Sequence, residues 1–248
     1  MIRVLLALLF AILFLICMIP MQFAEFLIGK YRGQKAKDAL AQTLIRFAFR
    51  VILFLCGVRI DCRGRENIPT DEAVLYVGNH CSIFDILVSY IYFPSPTGYV
   101  AKIETKKIPL LSSWMKLIRC LFLDRKDPRE GLKMVLAGIE QIHEGVSVFI
   151  FPEGTRGPDE NGQMRPFKEG SLKMAEKTNC PVVPVAFSNT RNILEAHFPF
   201  VHATHVTVWF GTPFRPADLS KEDRKFCGAY TRRCIEQMLT QISNESNH

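Results

Sequence analysis

The chain has 248 residues, 48% of them hydrophobic, and its 31 Lys+Arg exceed its 24 Asp+Glu for a net charge of +7. That length holds one large domain with an appendage, and a mean hydropathy of +0.11 is high for a freely soluble enzyme, so part of the chain is expected to meet lipid. A pI near 9.0 favours anionic partners; with no zinc-finger, RNP-type aromatic or helix-turn-helix signature, nucleic acid is set aside in favour of anionic lipid.

The N-terminus, Met1 to Ala24, carries Arg3 as its only charge. Its most apolar part, Val4 to Ile19, forms a helix of about 24 Å, slightly short of the roughly 30 Å hydrocarbon core, and Pro20 breaks or kinks it. A signal peptide is the competing reading, but no small-residue cleavage site is evident. The basic cluster Lys30, Arg32, Lys35 and Lys37 either lies at an anionic membrane surface on the cytoplasmic side or is a solvated loop. Leu40 to Cys56 is a second apolar helix in which Gln42, Arg46 and Arg50 recur every fourth residue. Such a narrow polar stripe fits a helix lying in one leaflet, or else a core helix packed on the following domain. Residues 1–57 are therefore expected to form a helical membrane-anchoring hairpin.

From Val58 the pattern alternates. Strands are predicted at Arg59 to Arg63, Ala73 to Gly78, Gly98 to Ala101, Cys120 to Leu123, Val146 to Phe151, Val182 to Phe187 and Val206 to Phe210. Helices are predicted at Ile83 to Tyr92, Leu110 to Ile118, Arg129 to Glu144, Glu169 to Lys177 and Lys221 to Ile242. Asp127-Pro128-Arg129-Glu130 opens the third of these and Gly145 closes it; Ser220-Lys221-Glu222-Asp223 opens the last. The fold class is α/β: a mixed, mostly parallel sheet flanked by helices over residues 58–243, with residues 244–248 a frayed polar tail. The eight cysteines form no Cys-x-x-Cys pair and sit in apolar settings, the pattern of buried thiols in a reducing compartment, with neither a disulfide frame nor a zinc site. His143, His197, His202, His205 and His248 share no metal-ligand spacing, and Phe198 and Phe200, between Ile193 and His205, are core or membrane-contact residues rather than a ligand cage.

Two strand exits carry the chemistry. Asn79-His80-Cys81-Ser82-Ile83-Phe84-Asp85 follows the run Ala73 to Val77 and leads into a helix. Ser82 with Asp85 three residues later is a capping box; alternatively Asp85 reaches back to one imidazole nitrogen of His80 and leaves the other free to take a proton from a hydroxyl. The bland alternative is a structural histidine beside a helix cap. Phe151-Pro152-Glu153-Gly154-Thr155-Arg156 ends the second run. Gly154 allows close backbone approach, Thr155 offers a hydroxyl, and Arg156 a planar fork for phosphate or carboxylate; the alternative is a plain turn with a solvated arginine. Residues 157–168 form a loop that either covers the site or is a surface excursion. An oriented base beside an anion clamp points to transfer onto the hydroxyl of a phosphorylated acceptor.

These paired motifs resemble those of the glycerolipid acyltransferase superfamily, most closely the bacterial 1-acyl-sn-glycerol-3-phosphate acyltransferases. The resemblance extends from Gly64-Arg65-Glu66-Asn67-Ile68-Pro69 to Pro181-Val182-Val183-Pro184-Val185 and includes Val100-Ala101-Lys102 and Cys120-Leu121-Phe122-Leu123-Asp124-Arg125. Arg119 stands where that family usually has Gly, Ser112 or Ser113 where Gly is common, and Gly157 where Ser often follows the arginine. The resemblance implies transfer of a fatty acyl chain from an acyl carrier protein or coenzyme A thioester to the sn-2 hydroxyl of lysophosphatidate, at the cytoplasmic side of the inner cell membrane. No cofactor beyond the donor thioester and no metal is implied. His80 is then the general base and Asp85 its orienting partner. Arg156, with Lys102 and Arg125, takes the acceptor phosphate, Gly154 and Thr155 supply amides to the cradle, and Glu153 accepts a hydrogen bond from the glycerol or holds a neighbouring arginine. Another lysolipid or glycerol 3-phosphate is an alternative acceptor. Two rivals are a thioesterase using Ser82 or Cys81, and a non-catalytic protein that binds anionic lipid with the same basic groups.

Overall fold

A computed structural model describes residues 2–246; Met1, Asn247 and the tail residue His248 lie outside the described residues. Three helices come first: α1 (Ile2–Cys17), α2 (Ile19–Arg32) and α3 (Gln34–Cys56). Pro20 does break the first apolar helix, but it sits in the first turn of α2, where its missing N–H would have no helical partner in any case. The expected two-helix hairpin is thus a three-helix arrangement, and the basic cluster falls on its tip: Lys30 and Arg32 end α2, Lys35 and Lys37 begin α3, and Gly33 turns the chain between them at φ +84°.

The sheet follows in the order β1 (Arg59–Arg63), β2 (Leu75–Gly78), α4 (Phe84–Tyr90), β3 (Thr97–Lys102), α5 (Pro109–Leu117), β4 (Leu121–Leu123), α6 (Pro128–His143), β5 (Ser147–Ile150), α7 (Lys173–Thr178), β6 (Val182–Ser188), β7 (His205–Phe210), α8 (Lys221–Lys225) and α9 (Cys227–Ser246). The seven strands form one sheet, β1-β7-β6-β2-β5-β3-β4. All pairings are parallel except β6 with β7, so the mixed sheet expected from the alternation is the one observed. The central strands are buried on both faces, which is why they read as unbroken apolar runs. Tyr76 and Phe149 point into the layer under α3, α4 and α5. Leu75, Val77, Val148 and Ile150 point into the layer under α6, α7 and α9.

The N-terminal helices share the first layer. Phe14 of α1 packs on Trp114 of α5 with ring centroids 5.5 Å apart. Two of the three residues in the polar stripe of α3 face the protein, while Arg50 is exposed: Gln42 Nε2–H donates to Phe93 O at 3.2 Å and Ser95 O at 2.6 Å, and Arg46 donates to the same Phe93 carbonyl. Those carbonyls end the turn after α4 and have no helical partner of their own, so the stripe serves as their cap. Outward, α3 shows large apolar side chains, with Phe47 58% and Phe54 81% exposed, beside exposed Lys35, Thr43 and Arg50.

Two further expectations change, and one departure from the family pattern shows its conformation. The last predicted helix is two helices, because Phe226 leaves helical geometry and Glu169 caps a fresh start at Cys227, its carboxylate accepting from Gly228 N–H at 2.7 Å and Ala229 N–H at 3.0 Å. The polar tail is helical through Ser246, and Arg63 Nη1–H holds it through Glu245 Oε2 at 2.5 Å. Arg119 adopts φ +63°, the left-handed region where glycine carries no penalty, and its guanidinium is paired with Glu144 and Asp38.

Candidate active site

Strand β2 lies between β5 and β6, with Val77 opposite Ile150 on one side and Pro184 on the other. The chain leaves β2 for α4 on one face of the sheet and leaves β5 for α7 on the other, so the two loops part to opposite faces at the carboxyl ends of neighbouring strands. In an open α/β sheet this parting is where ligands bind, and both motifs lie there.

Asn79 fixes the end of β2. Its Nδ2–H donates to Phe187 O at 3.0 Å and its Oδ1 accepts from Phe187 N–H at 2.8 Å, continuing the β2–β6 pairing with a side chain after the ladder stops. The next residue, His80, turns its ring onto Phe151, centroids 3.9 Å apart and planes 14° from parallel. Its Nδ1 lies 2.9 Å from Asp85 Oδ2. Among the described residues Nε2 has no hydrogen-bond partner.

The capping box and the reach back to the imidazole are one arrangement. Asp85 Oδ2 accepts from Ser82 N–H at 2.8 Å and Cys81 N–H at 2.7 Å while also meeting His80, and Oδ1 accepts from Thr190 Oγ–H at 2.5 Å. Asp85 is fully buried, and four donors are what a buried carboxylate needs to stay in place. Ser82 is also fully buried; its Oγ accepts from Phe84 N–H at 3.0 Å and donates to Glu195 Oε2 at 2.6 Å.

The second motif is bonded to the first. Glu153 Oε1 accepts from His80 N–H at 2.6 Å and Oε2 from Arg165 N–H at 3.0 Å. Burial pushes its carboxyl pKa up, and those two amides oppose the rise. Glu153 is 8% exposed and both oxygens are taken, so its place is that of a brace under the histidine rather than a group offered to a glycerol. Gly157 N–H donates to His80 O at 2.8 Å, which sets Arg156 one residue from the histidine's own backbone. The loop over residues 157–168 is laced rather than loose: Arg165 donates to Gly157 O and Pro158 O at 3.3 and 2.9 Å.

Gly154 takes φ +74°, which its residue type permits. Its N–H donates to Phe151 O at 3.1 Å and closes the turn, so that amide is not free for an anion as expected; among the described residues the amide of Thr155 makes no hydrogen bond. Arg156 is half exposed, with Nη1 3.5 Å from Glu195 Oε1. Arg125 lies close enough for their charges to repel: its pKa is lowered first by partial loss of water and then by Arg156, while Glu104 opposes both. Lys102 is exposed and meets Glu104 at 3.0 Å. The three cations thus gather on one rim, partly balanced by Glu104 and Glu195.

Cys81 cannot supply a thiolate at neutral pH, because burial, aided by the nearby Asp85 and Glu153 charges, pushes its pKa to about 12. Thr190 and Glu195, absent from the sequence reading, come from the segment after β6, more than a hundred residues beyond the first motif, which both of them touch. No local spacing announces them.

A family model described as Acyltransferase matches residues 59–188. The 1-acyl-sn-glycerol-3-phosphate acyltransferase of Borreliella burgdorferi is 35% identical over 153 residues, 62% of this chain and 60% of that protein, so the matched stretch falls short of two thirds of that relative's length. A probable 1-acyl-sn-glycerol-3-phosphate acyltransferase of Mycoplasma pneumoniae is 30% identical, with 94% of each chain aligned. The crystal structure of the 1-acyl-sn-glycerophosphate (LPA) acyltransferase of Thermotoga maritima superposes with a TM-score of 0.75 at 27% identity, covering 95% of this chain and 94% of that one.

Proposed function

The chain belongs to the acyltransferase family, and on that premise we propose that it transfers a fatty acyl chain from a thioester to the free hydroxyl of a lysophosphatidate, making phosphatidate. The observation that carries this reading is the oriented His80, one ring nitrogen held against buried Asp85 and the other unoccupied, bonded through its own backbone to the turn that bears Arg156.

His80 Nε2 takes the proton of the acceptor hydroxyl as that oxygen attacks the thioester carbonyl, and Asp85 balances the imidazolium. Collapse of the tetrahedral intermediate breaks the carbon–sulfur bond. The proton passes from Nε2 to the departing thiolate, so the enzyme ends as it began and no acyl-enzyme forms. Arg156, with Arg125 and Lys102, takes the acceptor phosphate. A thioesterase mechanism is disfavoured because Ser82 is buried with its hydroxyl hydrogen given to Glu195, and Cys81 holds its proton. The donor is carried by acyl carrier protein or coenzyme A.

We place the enzyme on the cytoplasmic side of the inner cell membrane, held by the N-terminal helices. One of them, Gln34–Cys56, is long and apolar enough to cross a bilayer, yet Gln42 and Arg46 at its middle are bonded to the sheet domain, and it exposes Phe47 and Phe54 together with charged Lys35 and Arg50. That disposition supports a helix lying against one leaflet rather than crossing it. Its acceptor and anionic surface lipids are then in the same leaflet.

The test is turnover of purified protein with thioester donors and labelled lysophosphatidate. His80→Ala is expected to lose at least about 10²-fold in kcat while retaining vesicle binding; full turnover in this variant would remove His80 as the base, and no turnover in the parent protein would leave only the lipid-binding reading. Arg156→Ala is expected to raise the acceptor KM far more than the donor KM, and equal effects on both would remove the phosphate assignment.

A further inference from the structure

Glu195 belongs to neither motif, yet it touches both. Its Oε2 accepts from Ser82 Oγ–H at 2.6 Å, and its Oε1 accepts from Ile83 N–H at 2.8 Å. Ser82 is fully buried, and Ile83 offers a backbone group, so these two uncharged donors fix the carboxylate without help from Arg156. The guanidinium is the looser partner: it is half exposed and reaches Glu195 Oε1 through Nη1 at 3.5 Å, its one ion pair among the described residues.

An exposed ion pair with one long contact is worth about 0–1 kcal/mol. A phosphate presented to the guanidinium fork makes two parallel charge-assisted bonds and is held more strongly. The carboxylate therefore holds Arg156 next to the His80 turn when no acceptor is present, and a phosphate can take it over.

We propose that Glu195 is a positioning residue of the acceptor site, the internal counter-ion that Arg156 exchanges for the acceptor's phosphate. This rests on the reading of Arg156 as the phosphate clamp. Each acceptor that binds must first break the Glu195 contact, so Glu195 weakens apparent acceptor affinity while keeping the clamp near the base. Its second attachment, to Ser82, ties the same carboxylate to the turn that Asp85 fixes beside His80.

Glu195→Gln separates the two roles. The amide oxygen can accept from Ile83 N–H and the amide nitrogen can donate to Ser82 Oγ, so the turn keeps its support while the charge disappears. The acceptor KM should fall about two- to fivefold, the range that an exposed pair of up to about 1 kcal/mol allows, with the donor KM unmoved and a smaller change in kcat. Glu195→Ala should lower the acceptor KM as well, but with a clear loss of kcat, because Ser82 loses its partner. In an Arg156→Ala background the Gln substitution should keep less than half of its effect. A risen or unaltered acceptor KM in Glu195→Gln, at wild-type melting temperature, overturns the proposal, and so does a full effect without Arg156. Failure of the clamp reading would appear separately, as an acceptor KM that Arg156→Ala alone leaves unmoved.

Discussion

A carboxylate with no exposed surface would ordinarily be a liability, and Asp85 is tolerated because every lone pair that faces protein meets a donor: two amides of its own turn, the Thr190 hydroxyl and the His80 ring. The pairing with His80 was open to the sequence, since both groups lie within six residues on one turn. Thr190 was not, because a threonine after a distant strand carries no mark of what it will touch. The neighbouring Cys81 gives a test at this scale. With its pKa near 12, only about one molecule in 10⁴ carries the thiolate at pH 8, and the thiolate is what alkylates. Iodoacetamide at that pH should therefore modify exposed Cys17 well before Cys81, as peptide mass spectrometry would show. Rapid labelling of Cys81 in the folded protein would reopen the thiol-nucleophile rival.

At the level of elements, the strands were legible because central parallel strands must be apolar on both faces and Gly or Pro must end them; β1 and β6 begin where the pattern says. The α6 helix was equally plain, Asp127 Oδ1 accepting from Arg129 N–H at 2.8 Å. The break between α8 and α9 was not, and the reason is specific. Helical periodicity runs through Phe226, but Glu169, nearly sixty residues earlier, supplies two acceptors at Gly228 and Ala229 and so makes a new N-terminus cheaper than a continuous helix. Glu169→Ala should then cost about 1–2 kcal/mol in urea unfolding, the range of a lost helix cap, with little change in acceptor KM. A variant as stable as the parent would show that α9 starts there for another reason. The stripe on α3 left a leaflet helix and a packed core helix both open for a related cause: the partners of Gln42 and Arg46, the Phe93 and Ser95 carbonyls, are visible only in three dimensions.

Taken whole, the molecule packs α3 on the sheet domain through an apolar layer with a few polar contacts, and it also turns large apolar side chains outward along α1 and at Phe47 and Phe54 of α3, more than a soluble protein usually exposes. Along α1, Ile2, Leu5, Leu9, Ile12 and Ile16 are all exposed. The Phe198 and Phe200 loop lies beside the start of that helix, with Ile2 and Phe200 lining one cavity. The same loop carries Glu195 at its other end, so the apolar surface and the site are joined through a few residues of chain. Basic residues at the α2–α3 turn add an electrostatic attraction of about 1 kcal/mol each near an anionic surface, whereas the apolar side chains contribute an attraction that salt does not screen. The two can be told apart by co-sedimentation with vesicles of phosphatidylglycerol and phosphatidylcholine. Replacing exposed Lys30 and Lys35 by Gln should weaken binding by up to about 30-fold at 0.1 M salt. The difference should shrink toward nothing at 1 M salt, where the screening length is only about 3 Å, and both proteins should still sediment with the lipid. Complete release of the parent protein at high salt would mean that charge alone holds it, and the outward apolar faces of α1 and α3 would then need a partner other than a bilayer.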